Sequence, residues 1–161
     1  SADGMLSRHY AKLRTLGAIF MKQPLNLRSD IVNISNPKQI DLLAALNDLR
    51  TGVCKYLILE AGTNSYLQSA GSDNKFIVEI RIGTVSSFKH YIIGKGEYKS
   101  ALKTVWTMLN TGSGPIRIHD SEVLNFEETF KVFNFYMDNA EISPEIIKRN
   151  VTKYFLDKQD K

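Results

Sequence analysis

The chain has 161 residues, of which 43% are hydrophobic and 24% charged. That length fits one domain of roughly 100–200 residues, and that composition supports a buried core, which excludes disorder except at the ends. The net charge of +4 is spread along the chain instead of gathered into a patch, so it does not mark a nucleic-acid footprint. Cys54 is the single cysteine, so no disulfide forms within these residues and nothing suggests a stapled, secreted domain. No run reaches the ~18 apolar residues of a membrane span, and the expected compartment is the cytoplasm.

Residues 1–4 read as a cloning remnant ahead of Met5. Residues 6–22 place Leu6, Tyr10, Leu13, Gly17 and Phe20 at helical steps, with a basic outer face of Arg8, Lys12, Arg14 and Lys22. Pro24 ends that helix. Residues 30–35 suggest a short edge strand. Asn36 then suits an N-cap and Pro37 a first helical position. The helix that follows is expected to bury Ile40, Leu43, Ala44 and Leu46 or Asn47, and to stop at Thr51-Gly52, where glycine accepts a left-handed backbone.

Residues 53–93 are cut by Gly, Ser, Asn and Asp into four short apolar runs, the pattern of an antiparallel meander. A one-residue slip would invert every side chain. A three-residue turn at Gly62-Thr63-Asn64 keeps Leu57 and Leu59 on the face of Leu67, so that turn is expected. A turn over 71–74 sets Leu67 opposite Val78 and Tyr66 opposite Glu79. A turn over 83–86 sets His90 opposite Glu79 and Phe88 opposite Arg81. Leu57, Leu59, Leu67, Phe76, Val78 and Ile80 then form one apolar face, to be covered by helices. The other face mixes Tyr56, Ile58, Glu60, Tyr66, Gln68, Ile77, Glu79, Arg81 and His90. An antiparallel sheet ordinarily has one polar, wet side. Tyr, Arg and Gln are also the types that surfaces use to bind. Tyr56, Glu60, Tyr66, Gln68, Glu79, Arg81 and His90 are therefore the candidate partner-binding residues, with Arg81 expected to ion-pair with a neighbouring carboxylate.

Beyond the meander, residues 97–110 show helical spacing in Tyr98, Leu102, Val105 or Trp106, and Leu109. The stretch 111–115 is a break, and 116–118 supplies at most a fifth strand. In 125–138, Phe126, Phe130, Phe133 and Met137 make a helical stripe that reads as core, with Glu127 and Glu128 favouring the N-terminus. A last helix is expected over 144–157, docked by Ile147, Val151 and Tyr154 or Phe155, before a frayed tail at 158–161. The expected fold is thus a single α+β domain over 5–157. Its core, 36–112, is a meander of four to five strands packed by flanking helices, with a helical extension over 122–157.

No catalytic, cofactor or metal motif stands out. The Gly-rich pieces 94–96 and 112–114 lack the spacing of a phosphate loop. His9, His90 and His119 are too scattered for a zinc site. Glu60 and Glu79 share a face but no cleft, as a glycosidase pair would need. The same two carboxylates oppose stacking of nucleic acid on Tyr56 and Tyr66. No catalytic residue, metal, cofactor, nucleic acid or small-molecule substrate is expected.

Over residues 36–112 the chain resembles the immunity-protein-one family of bacterial polymorphic-toxin and contact-dependent inhibition systems. Tyr66, Leu67, Gln68 and Ala70 match its Tyr-Leu/Ile-Gln-Ala strand, Glu79 and Arg81 its next strand, and His90 and Tyr91 its short His-Tyr strand. The family's Trp after the last helix and its Gly has no counterpart, because Trp106 falls inside the expected helix. The resemblance implies a cytosolic, non-enzymatic protein that binds and blocks one cognate toxin. The +4 charge argues against a basic nuclease as that toxin. The alternatives are a secretion chaperone or adaptor, and a small enzyme of another type.

Overall fold

The computed structural model describes residues 23–96 and 103–156. The expected N-terminal helix, the first part of the helix expected at 97–110 and the expected frayed tail lie outside them. Among the described residues the strands are β1 (Leu25–Ser29), β2 (Asn33–Ser35), β3 (Tyr56–Ala61), β4 (Tyr66–Ser72), β5 (Lys75–Gly83), β6 (Phe88–Gly94), β7 (Trp106–Thr111), β8 (Gly114–His119) and β9 (Ile147–Asn150). The helices are α1 (Gln39–Arg50), α2 (Phe126–Asn139) and the single turn α3 (Lys153–Leu156), with a 3-10 turn at Asp120–Glu122. Seven strands form one antiparallel sheet in the order β2-β1-β3-β4-β5-β6-β9, and β7-β8 is a separate hairpin. The class is α+β, as expected, with more strands and less helix than the periodicity suggests.

The meander keeps its faces but not all of its registers. Leu59 pairs with Leu67 across a three-residue turn, with Gly62 at φ +84° and Asn64 at +55°. The β4–β5 connection is only two residues, Asp73 and Asn74, at φ +50° and +62°. That geometry matches strand twist, so two more pairs zip up than a four-residue turn allows. Leu67 therefore faces Ile80, and Tyr66 faces Arg81. The β5–β6 turn likewise sits one residue later, pairing Arg81 with His90 and Gly83 with Phe88. Both corrections move the register by two, an even step, so no side chain changes face.

The apolar face is fully enclosed. Leu57, Leu59, Leu67, Phe76 and Val78 have no exposure and Ile80 has 1%. Leu42, Ala45, Leu46 and Leu49 of α1 and Val132, Phe133, Tyr136 and Met137 of α2 cover it. Each such Leu or Phe adds about 1.5–3 kcal/mol of burial. The Phe-rich stripe packs there as expected, with Phe126 and Phe130 half-buried at its margin.

Two local expectations around α1 are corrected. Asn36 is not a cap. It turns left-handed at φ +51°, and α1 starts after Lys38, whose amide donates to Asp41 Oδ2 at 2.7 Å. The buried stripe of α1 is Leu42, Ala45, Leu46 and Leu49, whereas Ile40, Leu43 and Ala44 are exposed. The helix carries two apolar stripes at 3.6-residue spacing, and only its orientation on the sheet selects between them. Gly52, at φ +77°, does end it.

Of the helix expected at 97–110, residues 106–110 belong instead to the strand β7, joined to β8 by Gly112-Ser113. Of the helix expected over 144–157, only the turn Lys153–Leu156 is helical, while Ile147–Asn150 is instead the strand β9, added to the free edge of β6. Val151 is buried and Phe155 half-buried, so the docking residues hold while the element changes.

Ala140 closes α2 in the left-handed conformation at φ +55°, where its amide donates to the Tyr136 carbonyl. A Cβ is unfavourable in that region. Ala140→Gly is therefore expected to stabilise the protein by about 0.5–1 kcal/mol, seen as a raised midpoint of thermal unfolding.

Candidate functional site

The second face of the sheet is ordered in cross-strand rows. Asn26, Glu60, Tyr66, Arg81 and His90 form one row across β1, β3, β4, β5 and β6. Arg28, Ile58, Gln68, Glu79, Ile92 and Arg149 form the next, extending to β9. Strands lie about 4.8 Å apart, so each neighbour in a row is within side-chain reach of the next. Six of the seven candidate residues fall in these two rows, and Tyr56 lies beside them at the start of β3.

The face divides into two halves. Over β5 and β6 it is roofed by the β7–β8 hairpin and the C-terminal segment, which bury Ile77, Ile92, Leu109, Ile118 and Val151 together. His90 lies under this roof with no exposure, its ring 4.1 Å from that of Phe155. Its side chain is therefore part of the interior and not a contact surface, which corrects its place among the binding residues. Arg81 donates from Nε to His90 Nδ1 at 3.2 Å. The other ring nitrogen, Nε2, lies 3.2 Å from Glu79 Oε1. With Nδ1 accepting from Arg81, the hydrogen bond to Glu79 is donated by Nε2. Glu79 Oε2 accepts from Gln68 Nε2 at 2.7 Å.

Among the described residues Arg81 makes no ion pair with a carboxylate, contrary to expectation. Its guanidinium sits among aromatic rings, 4.0 Å from the centroid of Phe88, 5.1 Å from Phe155 and 5.2 Å from Tyr66. Such contacts are worth about 0.5–2 kcal/mol each, more as water is excluded. Burial raises the Tyr66 phenol above its ordinary range, Arg81 opposes this, and Glu79 adds to it.

Over β1, β3 and β4 the face is half-open. Tyr56, Ile58, Glu60, Tyr66 and Gln68 are half-buried. Arg28 Nη2 meets Glu60 Oε1 at 2.8 Å, and this bond raises the guanidinium above its usual value despite opposing desolvation. Both side chains are over a third exposed, so the pair contributes only about 0.2–1 kcal/mol to stability. Its larger effect is to hold two charges in fixed positions beside Tyr56. Asn26 and Arg28 are absent from the sequence-derived set. The signal for them was the alternation of Leu25 and Leu27, which marks β1 as a strand.

Cys54 is buried just before β3, and desolvation first, then Asp30 and Asp48, pushes its thiol up to about 11. That is the setting of an inert thiol. Among the described residues no group of three His, Cys, Asp or Glu side chains is placed to hold a metal ion. Among them, too, no helix is long and apolar enough to cross a membrane. No protein-family model, curated protein or solved structure matches the chain.

Proposed function

We propose that the protein binds and neutralises a single partner, a bacterial toxin effector domain, without catalysing a reaction itself. The observation that carries this reading is the half-open surface of β1, β3 and β4. There Tyr56, Tyr66 and Gln68 stand beside the fixed Arg28–Glu60 pair. Tyrosines give contact area at low entropic cost, and held charges orient a partner. The resemblance of residues 36–112 to the immunity-protein-one family supports the same reading. Residues Glu79, Arg81 and His90 then act beneath the surface, setting the position of Gln68 and Tyr66.

The test is co-purification with the protein encoded immediately upstream, followed by titration of Tyr56→Ala/Tyr66→Ala. A stable complex is expected, weakened by about 2 kcal/mol or more in the double variant. No complex with that neighbour would sink the reading. A complex of unchanged affinity in the variant would move the interface off this face.

A further inference from the structure

A cleft of about 270 Å³ lies between the second face and the β7–β8 hairpin. Glu79, Ile92 and Arg149 form its floor, Trp106 and Arg117 come from the hairpin, and Phe155 is contributed by the C-terminal turn. Among the described residues, two lining groups of opposite charge lack a strong-ion partner: Glu79 meets no Lys or Arg, and Arg117 no Asp or Glu. Among the described residues the Glu79 carboxylate hydrogen-bonds only the Gln68 amide and the His90 ring, whose Nδ1 is held by Arg81. Its side chain is 20% exposed. A carboxylate has four lone-pair sites, so two such contacts leave it able to accept more.

On the opposite wall Arg117 makes no ion pair with any described residue. Its guanidinium lies 4.8 Å from the centroid of the half-exposed Trp106 ring. Arg149 approaches the same ring at 5.5 Å, with its donors on Glu122 at 2.8 and 2.9 Å. A simple anion would be attracted by Arg117 but repelled by Glu79, and a simple cation would meet the reverse. A ligand carrying both charges satisfies both walls, while the apolar remainder fits between Ile77, Ile92 and Phe155. The volume is below the ~300–1,000 Å³ of sites for drug-sized molecules, so the ligand is small.

We infer that this cleft binds a free α-amino acid, with its ammonium group on Glu79 and its carboxylate on Arg117. This inference does not rest on partner binding, and a small-molecule ligand is not expected from the sequence alone. The site would couple ligand to the hairpin and C-terminal turn, because its two charges belong to different layers.

The experiment is calorimetric titration of the full chain with each proteinogenic amino acid, alongside thermal unfolding. The best binder is then compared with its N-acetylated form, which lacks the cation, and its decarboxylated amine, which lacks the anion. Saturable binding is expected for at least one amino acid. Loss of either charge, or Glu79→Gln or Arg117→Gln, should weaken it about tenfold or more. Arg117 is exposed, so its variant tests the site even if Glu79→Gln disturbs folding. Failure of every amino acid to bind, or equal binding by the amine or by Arg117→Gln, would overturn the inference.

Discussion

Replacing His90 with alanine is expected to lower stability by about 3 kcal/mol, measured by urea unfolding. The side chain is fully enclosed and joins three elements. Its ring packs on Phe155, its Nε2 reaches Glu79, and its Nδ1 accepts from Arg81. Truncation opens a cavity and leaves a guanidinium donor and a carboxylate acceptor short of a partner in a largely dry place. His90→Gln keeps one donor and one acceptor and is expected to recover part of the loss. A cost below about 1 kcal/mol for His90→Ala would show that the network is solvated and that the roof over this half of the sheet is loose.

Glu122→Ala is expected to be at least as damaging, at about 3–5 kcal/mol. Glu122 has no exposure, yet it is a carboxylate. Its two oxygens accept from Arg149 Nε and Nη2 at 2.9 and 2.8 Å, and one also accepts from the His119 amide at 2.8 Å. This fork ties β9 to the end of the hairpin. The four residues of β9 form the edge of the sheet, so few other contacts hold them. Amide exchange should therefore rise first in Ile147–Asn150, ahead of global unfolding. Removing both charges in Glu122→Leu/Arg149→Met should cost less than removing Glu122 alone, since no buried charge is then left without its counterpart. If the double variant is the worse of the two, the fork contributes net stability beyond cancelling its own desolvation.

These two groups show where reading from sequence succeeds and where it stops. His90, Glu79 and Arg81 are placed on one face by strand parity, and they do share it. Their roles depend on register and cover, which parity does not determine. A one-residue shift of the β5–β6 turn moved His90 from Glu79 to Arg81 in the ladder, and Phe155, sixty-five residues on, decides that it is buried. Glu122 and Arg149 carry no local signal at all, because they are 27 residues apart and meet only when β9 joins the sheet.

The sequence alone determines the alternation within each meander strand, the three-residue first turn, the end of α1 at Gly52 and the buried stripe of α2. Each depends on neighbours a few residues away, where backbone sterics and side-chain period dominate. Tertiary structure decided the rest. Residues 106–111 and 147–150 carry patterns compatible with helix or strand, and a free sheet edge or a hairpin partner settles them through hydrogen bonds to distant chain. The same holds for α1, whose two apolar stripes are equivalent until a sheet lies against one of them. It holds too for the second face, which is open or roofed according to where a distant hairpin packs.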